Sequence, residues 1–335
     1  MHYSRPEDYH VVLKKFPPRS EPSFESPEMM ERVWGGRWGC RNDVGQIRYV
    51  LMHRPGDENL RINESKLDPE LGVLIDEEEQ WYWRDRKAPN LALMQEQHDS
   101  LAEILRKEGA EVVYMEGAPE DPKAIFARDV GACVPGGIII GRMGPVGKER
   151  GGRRGEELYA TKAVASLGMP ILHTINGTGL FEGGGFGLLN EKTAVIGLSY
   201  RQNEEAARQI EETLRPSGIR LIKVPLVGHT LHIDGCIVMV DHDIALVNIV
   251  KLPYWFIDEV AALGIRMVEV HPEEWGALNC LAVRPGRVIV PAPSPRTAER
   301  LTAVGVEVIE HVYNEIEKGG GSIHCSTLPL MRDWN

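Results

Sequence analysis

Apolar positions in this chain recur at two alternating periods. Between Leu91 and Lys107 they fall at Leu91, Met94, Leu101, Ile104 and Leu105, the spacing that gives a helix one buried face. Gly109 follows where a left-handed C-terminal cap is needed. A short apolar run then predicts a strand over 111–115. A hairpin over 130–143 comes next, turning at Pro135-Gly136-Gly137. The same order returns down the chain. Helices are expected over 156–167, 203–215, 255–263 and 296–304, each closed by a glycine: Gly168, Gly218, Gly264 and Gly305. Strands over 170–174, 219–224, 265–270 and 306–312 follow these caps, and hairpins over 186–199, 235–249 and 280–292 follow the first three strands. A last strand over 323–331 has no mate nearby, so strand 46–52 near the other end is its expected partner. Such an exchange would leave no exposed sheet edge. Residues 1–43 read as an extension or lid. Residues 44–335 read as one domain interrupted by a charged, irregular insertion at 57–90, which holds Trp81 and Trp83.

Repeats that cannot bury their own apolar faces pack side by side and bring equivalent positions together. Between 14 and 20 positions after the five cap glycines stand Asp129, Glu182, His232 with Asp234, Asn279 and Cys325. His232 and Asp234 are two apart, so a strand beginning there would turn both to one face. Cys325 follows the run Gly319–Gly321. A thiolate forms near neutral pH only beside a cation or a proton acceptor, and the repeat supplies a His and acids for that task. Taken singly, each residue has a plainer explanation: a buried small side chain for Cys325, a salt bridge or cap for the acids, with Arg128 the nearest partner for Asp129, and a hydrogen-bonding prop for Asn279. Their equivalence is what joins them. Three acids meeting without basic partners repel one another, so a cation is expected among them. It is either a metal or a guanidinium or ammonium substrate, and a thiol acting as nucleophile fits a metal poorly.

Composition narrows the classes without choosing among enzymes. The 335 residues are 42% apolar and 26% charged, with a formal charge of −11 and no basic block. Nucleic acid is therefore not an expected partner. No apolar run reaches membrane-spanning length, and no membrane association is expected. The opening MHYSRPEDYHVVLKKF has no signal-peptide core, and five scattered cysteines without CxxC spacing fit a reducing cytoplasm. The Gly- and Arg-rich stretch 144–155 reads either as a solvated loop or as one that orders over substrate.

The segments VLMHRPG, FARD, FEGGG, GLSYRQNEEA, LHID, NCLAVRPGRVIV and GGGSIHCSTLPLMRD, in this order, resemble the guanidine-modifying superfamily over residues 44–333. That superfamily comprises arginine deiminases, dimethylarginine dimethylaminohydrolases, agmatine deiminases and amidinotransferases. The resemblance implies an α/β fold, a five-bladed pseudo-symmetric α/β propeller (pentein) of ββαβ modules. It implies hydrolysis of the guanidino group of arginine or a close relative, through a covalent amidino intermediate on Cys325 and without a cofactor or metal. Asp129 and Asp234 would grip the guanidinium. His232 would act as acid and then base, with Glu182 orienting it, and Arg201 would hold a substrate carboxylate. Gly185 stands where many relatives carry an acid. An amidinotransferase, in which an amine replaces water, uses the same residues and is the alternative. A non-catalytic propeller scaffold and a metallohydrolase built on His232, Asp234 and His324 are the readings from other classes. A small guanidino compound is the expected partner, and a homo-oligomer the default state.

Overall fold

The computed structural model describes residues 11–16, 26–116, 121–144 and 153–334. Most of the stretch 144–155 and parts of 1–43 lie outside these residues. The strands, in chain order, are β1 (Ile47–Met52), β2 (Leu67–Asp68), β3 (Val73–Asp76), β4 (Trp81–Trp83), β5 (Glu111–Tyr114), β6 (Gly131–Val134), β7 (Gly137–Ile140), β8 (Ile171–Thr174), β9 (Phe186–Asn190), β10 (Thr193–Leu198), β11 (Arg220–Pro225), β12 (Ile237–Asp241), β13 (Ile244–Val247), β14 (Arg266–Glu269), β15 (Leu281–Arg284), β16 (Arg287–Ala292), β17 (Glu307–Val312) and β18 (Leu328–Arg332).

Five of the six sheets share one plan. A middle strand pairs antiparallel with one neighbour and parallel with the other: β6-β7-β8, β9-β10-β11, β12-β13-β14, β15-β16-β17 and β18-β1-β5. The last sheet joins the two ends of the chain, with β18 antiparallel to β1 through Val50 opposite Pro329. That pairing agrees with the expected partnership of strand 46–52. Parallel third strands require a crossover, and each crossover contains a helix: Leu91–Lys107, Glu156–Ser166, Glu204–Leu214, Tyr254–Ala262 or Pro295–Thr302. The middle strands β7, β10 and β13 are buried along nearly their whole length and are accordingly apolar without alternation. Ile138, Ile139 and Ile140 of β7 are all fully buried, each contributing about 1.5–3 kcal/mol by area. The cap glycines behave as the sequence requires: Gly109, Gly168, Gly218, Gly264 and Gly305 have φ between 67° and 93°.

Three expectations change. The insertion 57–90 is not irregular throughout: β2, β3 and β4 form a small antiparallel sheet. Its tight turn is held by Asp76, whose side chain accepts from the backbone of Glu78 and Glu79. Residues 323–327 are a turn, so the final strand starts five residues later than the pattern suggested. The pair His232–Asp234 lies at a 3-10 turn (Ile233–Gly235), and β12 begins only at Ile237.

Candidate active site

Every module presents its chemical residue in the same place, on a tight turn just before the first strand of the hairpin. Asp129 lies in the turn Ala127–Val130 ahead of β6. Glu182 caps Gly183–Gly185 ahead of β9, and His232 caps Ile233–Gly235 ahead of β12. Asn279 ends the turn Pro272–Leu278 ahead of β15, and Cys325 lies in the turn ahead of β18. Turns rather than strand alternation aim these side chains. At this turn His232 and Asp234 converge on Gly184 while Ile233 stays in the core.

Asp129, Glu182, Arg201, His232 and Cys325 line one cavity of about 110 Å³. Asp234 and Asn279 stand immediately behind its wall. Gly184 marks the centre. A Cβ built there would lie 2.8 Å from His232 Nδ1, 2.9 Å from Asp129 Oδ1 and 3.1 Å from Asp234 Oδ2. Its backbone N–H donates to Asp129 Oδ1 at 3.1 Å. Asn279 holds Cys325 at two points. Its Oδ1 accepts from the Cys325 backbone N–H at 3.0 Å, and its Nδ2 lies 3.0 Å from Cys325 Sγ.

His232 Nε2 is 2.8 Å from Glu182 Oε2, and Glu182 Oε1 accepts from Arg201 Nη1 at 2.6 Å. Burial alone would push the imidazolium down, but Asp129, Glu182 and Asp234 outweigh it and lift His232 to about 9. Burial would likewise raise Glu182, yet His232, Arg201 and Arg153 hold it at about 2. The pair is therefore an imidazolium and a carboxylate at neutral pH. Cys325 goes the other way. Burial pushes its thiol to about 12, with Asp234 and Asp129 adding to the rise and Asn279 opposing it. The free protein thus holds a neutral thiol, contrary to the thiolate poised near neutral pH that the sequence suggested.

The cation expected among the acids is supplied by the chain itself. Arg153, one-tenth exposed, donates from Nη1 to Asp129 Oδ2 at 2.5 Å and clasps Glu156 at 2.7 and 2.8 Å. Arg128, the sequence neighbour of Asp129, instead reaches the His324 carbonyl at 3.4 Å. Asp129, Glu182 and His232 have the spacing of a metal site. Each of the two carboxylates pairs with a guanidinium of the chain, Asp129 with Arg153 and Glu182 with Arg201.

Four residues at the site had no signal of their own in the pattern. Arg153 falls in the stretch read as solvated or substrate-ordering. His324 enters the sequence pattern only as a candidate metal ligand. Lys123 donates to the Tyr82 carbonyl at 2.6 Å and to the Gly319 carbonyl, and it sits 3.8 Å from the centroid of the Tyr82 ring. Lys123 and Tyr82 both line the cavity, so the insertion contributes a wall. Among the described residues, those before the insertion contribute none of that lining. Trp81 and Trp83 face the core instead and are buried.

The family model for eukaryotic N,N-dimethylarginine dimethylhydrolase matches residues 75–332. The chain belongs to this family of guanidino-group hydrolases. Among curated relatives, an N(G),N(G)-dimethylarginine dimethylaminohydrolase of Pseudomonas aeruginosa is 28% identical over 245 residues, covering 72% of this chain and 89% of its own. An arginine deiminase of Treponema denticola is 20% identical over 413 residues, with 87% and 98% covered. A solved structure of the Pseudomonas aeruginosa dimethylaminohydrolase complexed with citrulline superposes with a TM-score of 0.66 at 24% identity, over 84% of this chain and 99% of that one. An amidinotransferase of Microseira wollei gives 0.67 at 16% identity, over 89% and 98%. These likenesses carry the fold, which is the α/β pentein fold of the neighbours. Among the described residues no helix is long and apolar enough to cross a membrane.

Proposed function

We propose that this chain hydrolyses the guanidino group of arginine or an arginine-like compound through a covalent amidino intermediate on Cys325. The observation that carries the reading is a single thiol set in a small cavity that is also lined by Asp129 and by a His232 ring hydrogen-bonded to Glu182. The five like modules are arranged as the blades of a propeller. Residues 44–335 act as one catalytic unit, located in the cytoplasm.

A guanidinium entering beside Asp234 and taking the place of Arg153 at Asp129 brings positive charge next to the thiol, and Cys325 loses its proton to solvent. The thiolate attacks the guanidinium carbon, forming the S–C bond. As the C–N bond to the leaving nitrogen breaks, His232 hands its proton to the departing amine. The neutral imidazole then takes a proton from water. The resulting hydroxide adds to the amidino carbon, the C–S bond breaks, and a urea-type product leaves with Cys325 free again. Glu182 keeps His232 cationic at the start, as the sequence of protons requires. Asn279 steadies the sulfur, and Arg201, whose Nε has no hydrogen-bond partner among the described residues, offers a donor to a substrate carboxylate.

The test is a mass-spectrometric product screen of the protein and its Cys325→Ala variant with arginine, methylated arginines, agmatine and short guanidino acids. Turnover in water, lost in the variant, is expected. Turnover that appears only with an added amine would make it an amidinotransferase, and undiminished turnover in the variant would end the thiol mechanism.

A further inference from the structure

Asp234 is held in place by a residue that no step of the reaction uses. His324 Nδ1 lies 2.9 Å from Asp234 Oδ2, the same oxygen that faces the centre marked by Gly184. Both side chains are buried. A buried carboxylate oxygen placed there without a donor would swing toward the nearest cation, and His232 is close by. The backbone of His324 is fixed in turn. Its N–H donates to the Asn279 carbonyl at 3.1 Å, and its carbonyl accepts from the Thr327 N–H at 3.2 Å. One peptide unit further on stands Cys325, anchored to the Asn279 side chain.

We infer that His324 is a positioning residue that fixes Asp234 against the nucleophile, so that the His324–Cys325 dipeptide sets the distance between the attacking sulfur and the guanidinium grip. This inference rests on the proposed guanidino chemistry for its kinetic consequence, but not for the hydrogen bond itself. The carboxylate accepts, so Nδ1 carries a proton. Burial and Arg128 push the imidazolium down, in agreement with that tautomer. The charged and titratable groups facing the pair are Arg128, Asp43 and His232, with the Cys325 and Cys236 thiols beside Asp234. None of them takes the place of the Nδ1 donor in the hydrogen-bond pattern.

Three variants separate positioning from packing. His324→Asn places an amide nitrogen where Nδ1 stands. His324→Leu keeps volume without a donor, and His324→Gln keeps polarity but moves the donor to the Nε2 position. On the best substrate from the product screen, the Asn variant should stay within about threefold of the parent KM. Leu and Gln should raise KM by about 10- to 100-fold, the range for loss of one hydrogen bond to a charged group. The acid limb of kcat/KM should move to higher pH in Leu and Gln, because the lost donor favoured the ionised carboxyl, and should return in Asn. In an Asp234→Asn background the Leu change should add almost nothing. Equal damage from Asn and Leu, or full additivity with Asp234→Asn, would overturn the inference. A carbon-13 titration of the Asp234 carboxyl, assigned by its loss in Asp234→Asn, reads the same bond without turnover. An upward shift in the Leu or Gln variant sustains the positioning role even if no guanidino compound is hydrolysed. No shift in either refutes it.

Discussion

Gly184 brings its backbone against His232 so closely that a single added carbon would sit 2.8 Å from Nδ1. Its φ is ordinary, so the backbone tolerates a side chain and only the space forbids one. The same carbon would press on Asp129 and Asp234. Gly184→Ala should therefore cost about 1–3 kcal/mol of stability by overpacking. It should cost more in rate, about 100-fold or beyond in kcat/KM, because the reacting groups move apart by a good fraction of an ångström. Thermal melts and steady-state kinetics on one preparation check both. A variant of native activity would mean that the three side chains do not converge there in solution.

Glu182 and His232 make a second prediction, in pH. His232 is raised from 6.5 to about 9, so its contribution to stability is complete below pH 6.5 and lost as pH climbs through 9. Glu182 is lowered from 4.5 to about 2, so its contribution is complete above pH 4.5 and lost as pH falls through 2. The pair contributes in full between about pH 4.5 and 6.5. Urea unfolding across pH should show that plateau in the parent and flatten it in Glu182→Gln. Turnover should fall about 10²–10⁴-fold in the variant, and the alkaline limb of kcat should move below pH 9 as the imidazolium loses its support.

The repeat was legible because its signals are local. A glycine cap, an apolar face and a short strand each declare themselves within a few residues, and five such units place Asp129, Glu182, His232, Asn279 and Cys325 at equivalent points. What escaped depends on partners distant in the chain. Nothing near Arg153 announces that it reaches back 24 residues to Asp129. Nothing in the HisCys dipeptide announces an Asp 90 positions away. Tight turns have no periodicity either, so His232 and Asp234 were assigned to a strand and yet still converge. The charged insertion hid a sheet because its strands are two to four residues long and the turn between β3 and β4 is held by the Asp76 side chain.

Asn279 and Cys325 make the third prediction. With the thiol at about 12, alkylation of the free protein by iodoacetamide should rise tenfold per pH unit from 6 to 10 without a plateau, read by peptide mapping at Cys325. The Asn279→Ala variant loses the N–H that favours the thiolate and should react about tenfold more slowly at each pH, the worth of one hydrogen bond to a charged group. A plateau near pH 7 in the parent would show a thiolate already present without substrate.

Gly185 and Gln202 explain the missing acid of the FEGGG segment. A Cβ on Gly185 would meet the Gln202 side chain at 2.4 Å. Gln202 is fully buried, and its side-chain amide lies 2.9 Å from Ser199 Oγ, which also reaches the Leu231 carbonyl at 2.7 Å. Leu231 and its neighbour His232 line the cavity, so the buried Gln202 side chain stiffens that part of its rim. The space that an acid would use is already filled. Gly185→Asp alone should destabilise the fold by about 1–3 kcal/mol and impair turnover. Combined with Gln202→Ala, it should recover at least half of the lost stability, giving a coupling energy of about 0.5–3 kcal/mol in a double-mutant cycle. Additive effects of the two changes would place Gln202 elsewhere in solution and leave the absent acid without a structural reason.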